Sequence, residues 1–251
     1  MIFFISFRTA LRFLTRIPFP GSHQLRNNEY IWSLAWYPVI GALIGLILGA
    51  TATAFQLFLP ANVSITLALI ITAVITGAIH EDGLADTCDA IGGGWTREKR
   101  LEIMKDSRIG TYGGIGLILL YTCRFSCMTN LPSSTWIIYS ICAHCLARWP
   151  ILFLIKILPA ARSNSGIAHE LSNKMSWPIL CTATALFIIL AIALNINVNI
   201  IAMCIPLTLS LGIFFQKKIG GITGDLCGFG VCATELLFWI YICAIEHSYI
   251  Q

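Results

Sequence analysis

The sequence predicts an all-α fold: a polytopic transmembrane helical bundle of about seven spans, with a helical cytoplasmic loop between the second and third. Three observations carry this. Of the 251 residues, 57% are hydrophobic and only 11% charged, whereas an ordinary soluble domain is about 25% charged. The apolar residues gather in blocks close to the ~20 residues that cross a bilayer's hydrocarbon. The Lys and Arg residues outside those blocks all fall on one side of the alternating connections. The net charge of +4 is modest and no basic run marks a nucleic-acid surface, so nucleic acid is excluded as a partner and the lipid bilayer takes its place.

The chain reads as a single membrane-embedded catalytic domain over residues 1–251. Residues 1–20 are apolar but carry Arg8, Arg12 and Arg16. They lack the charge-then-apolar order and the cleavage site of a signal peptide. They are expected to form an amphipathic segment at the membrane surface, ended by Pro18 and Pro20. The apolar blocks are Trp36–Leu59, Val63–Ile79, Gly113–Asn130, Thr135–Ile157, Trp177–Leu194, Val198–Phe215 and Phe229–Ile245. Three short connections, Pro60–Asn62, Asn130–Ser134 and Asn195–Asn197, hold no Lys or Arg. The N-terminal segment and the connections His80–Tyr112, Leu158–Ser176 and Gln216–Gly228 hold the positive charge, which places them in the cytoplasm and the C-terminus outside. Trp36, Trp136, Trp149, Trp177 and Trp239 lie near span ends, where an aromatic belt belongs.

The chemistry concentrates in the acidic loop 80–112. Asp82, Asp86 and Asp89 are spaced i, i+4, i+7, so a helix continuing from the second span would project three carboxylates from one face. Like charges so placed are relieved by protonation or by a cation, and an all-oxygen set suits Mg²⁺ or Mn²⁺. Gly92, Gly93 and Gly94 end that helix. Thr96 caps a second one, Arg97–Ser107, which faces Leu101 and Met104 inward and folds back to bring Asp106 toward the first acidic face. Glu98, Lys99, Arg100, Glu102 and Lys105 fit a solvated helix face.

A second polar cluster, Gly220-Gly221-Ile222-Thr223-Gly224-Asp225, precedes the last span on the same cytoplasmic side. Its glycines let backbone N–H groups approach a phosphate, and Asp225 can complete a metal shell. Arg124 and Arg148 lie inside spans, where charge is costly and faces a bundle interior; Glu235 is the acidic candidate for pairing. Arg148 is expected in a polar cavity open toward Asp82 and Asp225. Cys142 and Cys145, around His144, read as small apolar helix residues, since no second ligand pair has zinc spacing.

The segments FLTRIPFP (Phe13–Pro20), YPVIGALIG (Tyr37–Gly45), HEDGLADTCDA (His80–Ala90), IMKDSRIGTYGG (Ile103–Gly114) and GGITGDL (Gly220–Leu226) together resemble the cobalamin synthase (adenosylcobinamide-GDP ribazoletransferase) family over nearly the whole chain. The chain departs from that family's pattern at Ala90 and at Gly166-Ile167-Ala168. The resemblance implies transfer of adenosylcobinamide phosphate from adenosylcobinamide-GDP to α-ribazole or its 5′-phosphate, with release of GMP and with Mg²⁺ as cofactor. It implies the inner membrane of a bacterium as the location and allows a homo-oligomer. Carried over by residue, it implies Asp82, Asp86, Asp89 and Asp106 at the metal, with Asp86 and Asp225 catalytic. Lys105, Arg108, Arg148, Gly221, Thr223 and Gly224 would hold phosphate.

Two other readings differ in their features. A CDP-alcohol phosphotransferase also uses spaced aspartates at a membrane surface, but places an arginine where this chain has Asp86. A cation transporter would carry its acids near mid-membrane rather than in one cytoplasmic loop.

Overall fold

The computed structural model describes residues 2–19, 27–162 and 167–250, and within them the chain forms thirteen α-helices with no strand beyond a single parallel bridge between Ala160 and Ile222. In order they are α1 (Ile2–Leu14), α2 (Asn27–Trp32), α3 (Tyr37–Gln56), α4 (Ala61–Thr76), α5 (Ile79–Gly93), α6 (Arg97–Ile103), α7 (Thr111–Thr129), α8 (Trp136–Ala147), α9 (Pro150–Ile157), α10 (Ile167–Lys174), α11 (Trp177–Ala193), α12 (Val198–Ile219) and α13 (Gly224–Ile250). Pro20 and Gly166 fall outside the described residues.

Among the described residues four segments are long and apolar enough to cross a membrane: Glu29–Gln56, Ser133–Ile157, Val198–Ile219 and Gly224–Ser248. Counting α4 with α5 as one broken span makes five, fewer than the seven blocks of the sequence. Large apolar side chains nevertheless face outward on other helices too, including Ile70 and Val74 of α4, Ile118 and Leu119 of α7, and Ile189 and Ile192 of α11. An outward apolar surface on this many elements is what a lipid-facing bundle presents.

The second block does not behave as expected. The helix of α4 does not run on into the acidic segment. It stops at Gly77 (φ 66°), and Ala78 follows with φ 54°, so α5 leaves at 89°. Left-handed backbone is free for glycine but strained for alanine, so the bend must be held from outside. The N-terminal segment holds it: the Arg16 backbone N–H donates to the Ile75 carbonyl at 2.6 Å, and the Arg16 guanidinium lies against Gly77.

Close helix packing is written in glycines. Gly41, Gly45 and Gly49 on α3 meet α8 so closely that a Cβ on Gly45 would stand 2.1 Å from the Ser140 carbonyl oxygen. Small residues four apart let two membrane helices approach in this way. The fourth block is itself interrupted at Arg148 and Trp149, with Pro150 starting the next helix. Among the tryptophans expected in an aromatic belt, Trp136 and Trp239 are instead buried in the bundle; the Trp136 Nε1–H donates to the Met128 carbonyl at 3.0 Å. The size of an indole makes it a core filler as readily as an interfacial anchor.

Candidate active site

The site is built where α5 crosses α13. A Cβ on Gly83 would lie 2.7 Å from the Asp225 carbonyl oxygen, and one on Gly228 would lie 2.9 Å from the His80 carbonyl oxygen. The two helices therefore touch backbone to backbone, and Asp225, in the first turn of α13, is set beside the acidic face of α5. The Asp86 carboxyl is pushed up to about 7, first by burial and then by Asp82, Asp225 and Asp89, with Arg162 opposing. This is the like-charge crowding expected from the spacing, with Asp225 as a fourth contributor.

Arg162 stands 3.7 Å from the Asp225 carboxylate. Its Nε and Nη2 are buried without a hydrogen-bond partner among the described residues, so the guanidinium retains donors for a further anion.

Asp89 and Asp106 depart from the metal set implied by the resemblance. Asp89 is buried, and both its oxygens accept backbone N–H groups: Oδ2 from Gly110 at 2.7 Å and Oδ1 from Gly113 at 2.8 Å. Gly110 begins α7 without a side chain to cap it, and Asp89 reaches across to do so. Asp106 faces Arg108 in a two-pronged ion pair at 2.6 and 2.9 Å, which holds its carboxyl down at about 2. Its helix stops at Ile103, a turn earlier than expected, although Thr96 caps it as predicted by accepting the Lys99 N–H at 3.2 Å. Lys105 and Arg108 are exposed at the end of this hairpin. The Lys99–Glu102 pair at 3.0 Å lies on a solvated face, as the sequence indicated.

The glycine cluster is a joint between segments. Gly220 (φ 81°) closes α12 and Gly221 (φ 147°) turns the chain, with no room for a Cβ against the Pro159 carbonyl. The Ile222 N–H donates to Pro159 at 2.8 Å and the Ala161 N–H to Ile222 at 2.9 Å. Arg97 seals the joint by donating to the carbonyls of Ile219 and Ala161, both at 2.7 Å. Thr223 accepts the Leu226 N–H at 3.2 Å and lies 3.3 Å from Asp225. Gly224 has nothing among the described residues within 4 Å of where its Cβ would stand.

Two cavities meet at Asp82. The larger, about 630 Å³, has Arg12 and Arg16 of the N-terminal segment in its wall together with Asp82 and Asp86. The smaller, about 240 Å³, reaches Asp82 and Asp225 from the side of α9 and α10 and is walled mainly by aliphatic and aromatic residues. Phe13, Ile79 and Asp82 belong to both. The N-terminal segment is thus part of the site. The FLTRIPFP segment is a signal for this, but its Arg16, like Arg12 just before it, also fits an interfacial helix. No sequence signal marked Arg162.

Arg148 lies elsewhere. It is 2% exposed, donates to the His144 carbonyl at 2.9 Å, and lines a small interior cavity of about 10 Å³ with His80, Glu81, Arg124, His144 and Glu235. It lines neither of the cavities that reach Asp82. Here Arg124 pairs with Glu235 at 2.9 Å, as the sequence indicated, and also with Glu81 at 2.8 Å. His144 Nδ1 stands 3.5 Å from Glu235, while Cys142 and Cys145 are packed in the core. The break before Pro150 ends α8 at Arg148 and keeps the side chain against its own last turn instead of carrying it toward α5.

The comparisons agree on one family. A profile described as cobalamin-5-phosphate synthase matches residues 6–243. A protein of Leptospira interrogans named adenosylcobinamide-GDP ribazoletransferase is 36% identical over 248 residues, 94% of each chain. One of the same name from Shewanella frigidimarina is 35% identical over 250 residues, covering 96% of this chain and 95% of its own. Another from Shewanella pealeana is 31% identical over 99% of this chain and 96% of its own. No solved structure matches.

Proposed function

Because the chain belongs to the cobalamin-5-phosphate synthase family, we propose that it carries out the adenosylcobinamide-GDP ribazoletransferase reaction at the junction of α5 and α13, with Asp82, Asp86 and Asp225 as its acidic centre. The reaction is the final step of cobalamin synthesis. A ribazole hydroxyl oxygen bonds to the phosphorus attached to cobinamide as that phosphorus loses its bond to the GMP oxygen. The hydroxyl proton passes to a carboxylate and GMP leaves with the bonding electron pair.

The observation that carries the placement is the meeting of two unlike cavities at Asp82 beside Asp225. Arg12, Arg16 and Arg162 supply positive charge around it for a diphosphate. Asp225 lines the smaller cavity, which supports it as the carboxylate that accepts the proton. Positioning and charge neutralisation dominate this class of reaction.

The residues fit Mg²⁺ of one kind. Among the described residues no three acidic, His or Cys side chains form a ready cage. Asp82, Asp86 and Asp225 instead form a crowded oxygen set whose strain a cation relieves. Mg²⁺ usually keeps waters and binds one or two carboxylates plus substrate phosphate. Asp82 and Asp86 would hold it, and bound there it would neutralise the diphosphate and the departing GMP.

We place the site on the cytoplasmic face of a bacterial inner membrane, in a chain that crosses seven times with its C-terminus outside. The distribution of Lys and Arg supports this orientation, and the outward apolar faces of α7 and α11 support the two crossings beyond the five. Purified protein in detergent should release GMP from adenosylcobinamide-GDP only when α-ribazole (or its phosphate) and a divalent metal are both present. Turnover that survives excess EDTA would overturn the metal assignment.

A further inference from the structure

We propose that the 240 Å³ cavity between α5, α9, α10 and α13 is the ribazole subsite and holds its benzimidazole base, while the larger cavity takes the diphosphate side of the other substrate. This deepens, and rests on, the functional reading above.

The two cavities share Asp82 but differ in chemistry. The larger is walled by Arg12 and Arg16 opposite Asp82 and Asp86, which suits a metal-bound diphosphate. Among the described residues no Lys or Arg lines the smaller one. Its walls are Leu14, Tyr37, Ile151, Ile155, Leu171 and Val231, all buried. Among the described residues its charged or titratable lining groups besides Tyr37 and Cys227 are His80, Asp82 and Asp225, all from the α5–α13 crossing. One wall is therefore polar and the rest greasy.

That asymmetry selects among the molecules that must meet here. A diphosphate would face carboxylates whose nearby cation, Arg162, does not itself line the cavity. Guanine carries donors and acceptors around its rim, and aliphatic walls leave them unpaired at a cost. A corrin ring is far larger than the space. An acyl chain fills aliphatic walls but leaves the Asp82 and Asp225 oxygens without a donor. A benzimidazole riboside matches both parts: an apolar bicycle for Ile151, Ile155 and Leu171, and sugar hydroxyls that donate to Asp82 and Asp225. Seated so, a sugar hydroxyl stands at the shared residue, next to the phosphorus it must attack.

The test uses the full chain in detergent. Equilibrium titration of α-ribazole, followed by its own fluorescence, reads binding without turnover. GMP release then reads the reaction. Ile155→Phe fills the cavity and should weaken α-ribazole binding and raise its KM about tenfold or more, the scale of a misfit in an apolar pocket. The KM for adenosylcobinamide-GDP should stay within about twofold. In the wild type, free 5,6-dimethylbenzimidazole should compete with α-ribazole and not with adenosylcobinamide-GDP, a result that does not depend on any variant folding. Competition against adenosylcobinamide-GDP instead, or displacement of bound base only by fatty acid, would overturn the assignment. Binding of α-ribazole that Ile155→Phe weakens, without GMP release from the wild type, would leave the subsite standing and refute the functional reading. GMP release with α-ribazole binding indifferent to Ile155→Phe and to dimethylbenzimidazole would do the reverse.

Discussion

Two clusters of charge begin on consecutive residues of α5. Glu81 turns into the bundle and joins Arg124, Glu235, His144 and Arg148, where two carboxylates meet two guanidinium groups. Asp82 turns the other way, toward Asp86 and Asp225. The first cluster is internally matched and largely buried, with Glu81 also reaching the wall of the larger cavity, and it joins α5, α7, α8 and α13. The second has more negative than positive charge at its centre and holds Asp86 near 7. Matched charge sets a shape, whereas unmatched charge at the mouth of two cavities is the arrangement that the proposed cation and phosphate would relieve. Fixing Glu81 within the bundle orients Asp82 on the next residue, so the two clusters form one device.

The sharpest way to break the first cluster is Arg124→Met. It leaves Glu81 and Glu235 buried together without their cation, and removing one partner of a buried pair costs about 3–5 kcal/mol. Thermal unfolding in detergent should show the loss. If Arg124→Met is as stable as the wild type, the interior network is not what fixes the helices.

Asp82→Asn should act on the opposite quantity. Loss of one key electrostatic contact to a developing charge commonly costs about 10²–10³ in rate. GMP release should fall on that scale while the unfolding temperature holds or rises. A drop in stability matching the drop in rate would mean that the two clusters do not divide shape from chemistry.

A smaller effect appears in pH. An ordinary aspartate releases its proton near pH 4 (about 3.9), while folded Asp86 keeps its proton to about 7. Between these values the folded state binds more protons than the unfolded state, so stability falls as pH rises through the window. In EDTA, the unfolding temperature should be higher at pH 5 than at pH 8, and Asp86→Asn should flatten that slope. Mg²⁺ with a nucleoside diphosphate should restore stability at pH 8 by stabilising the ionised carboxylate. An unchanged slope in Asp86→Asn would place the titration elsewhere.

Glu98→Gln supplies the floor. Glu98 is 78% exposed on α6, 3.9 Å from Arg97, and surface changes of this kind stay within about 0.5 kcal/mol. Its turnover should equal that of the wild type.

What the sequence made legible follows local rules. The end of α5 at its glycines, the Thr96 cap and the Arg124–Glu235 pair each rest on a few residues and a known spacing. The acidic spacing also pointed to the crowding around Asp86. What it concealed depends on contacts between distant segments. The apolar run Val63–Ile79 looks continuous, and only Arg16 lying against Gly77 shows why it breaks. Asp89 reads as a third ligand until α7 is seen to start beneath it, with Gly110 and Gly113 in its grip. Arg162 has no motif around it, and its place beside Asp225 comes from the Ala160–Ile222 bridge.

The bend at Ala78 also sets a depth. With 16 residues, α4 is about 24 Å long at ~1.5 Å per residue, short of the ~30 Å of hydrocarbon in a typical bilayer. A helix that ends early draws its end inward or thins the lipid around it. The acids of α5 would then sit slightly below the headgroup level of the leaflet they open to, at the floor of a dimple. A macrocyclic substrate must settle onto the lipid surface to lower its diphosphate into that dimple, which turns membrane thickness into a variable of the reaction. Bilayers of short-chain lipid would raise the floor and those of long-chain lipid would sink it.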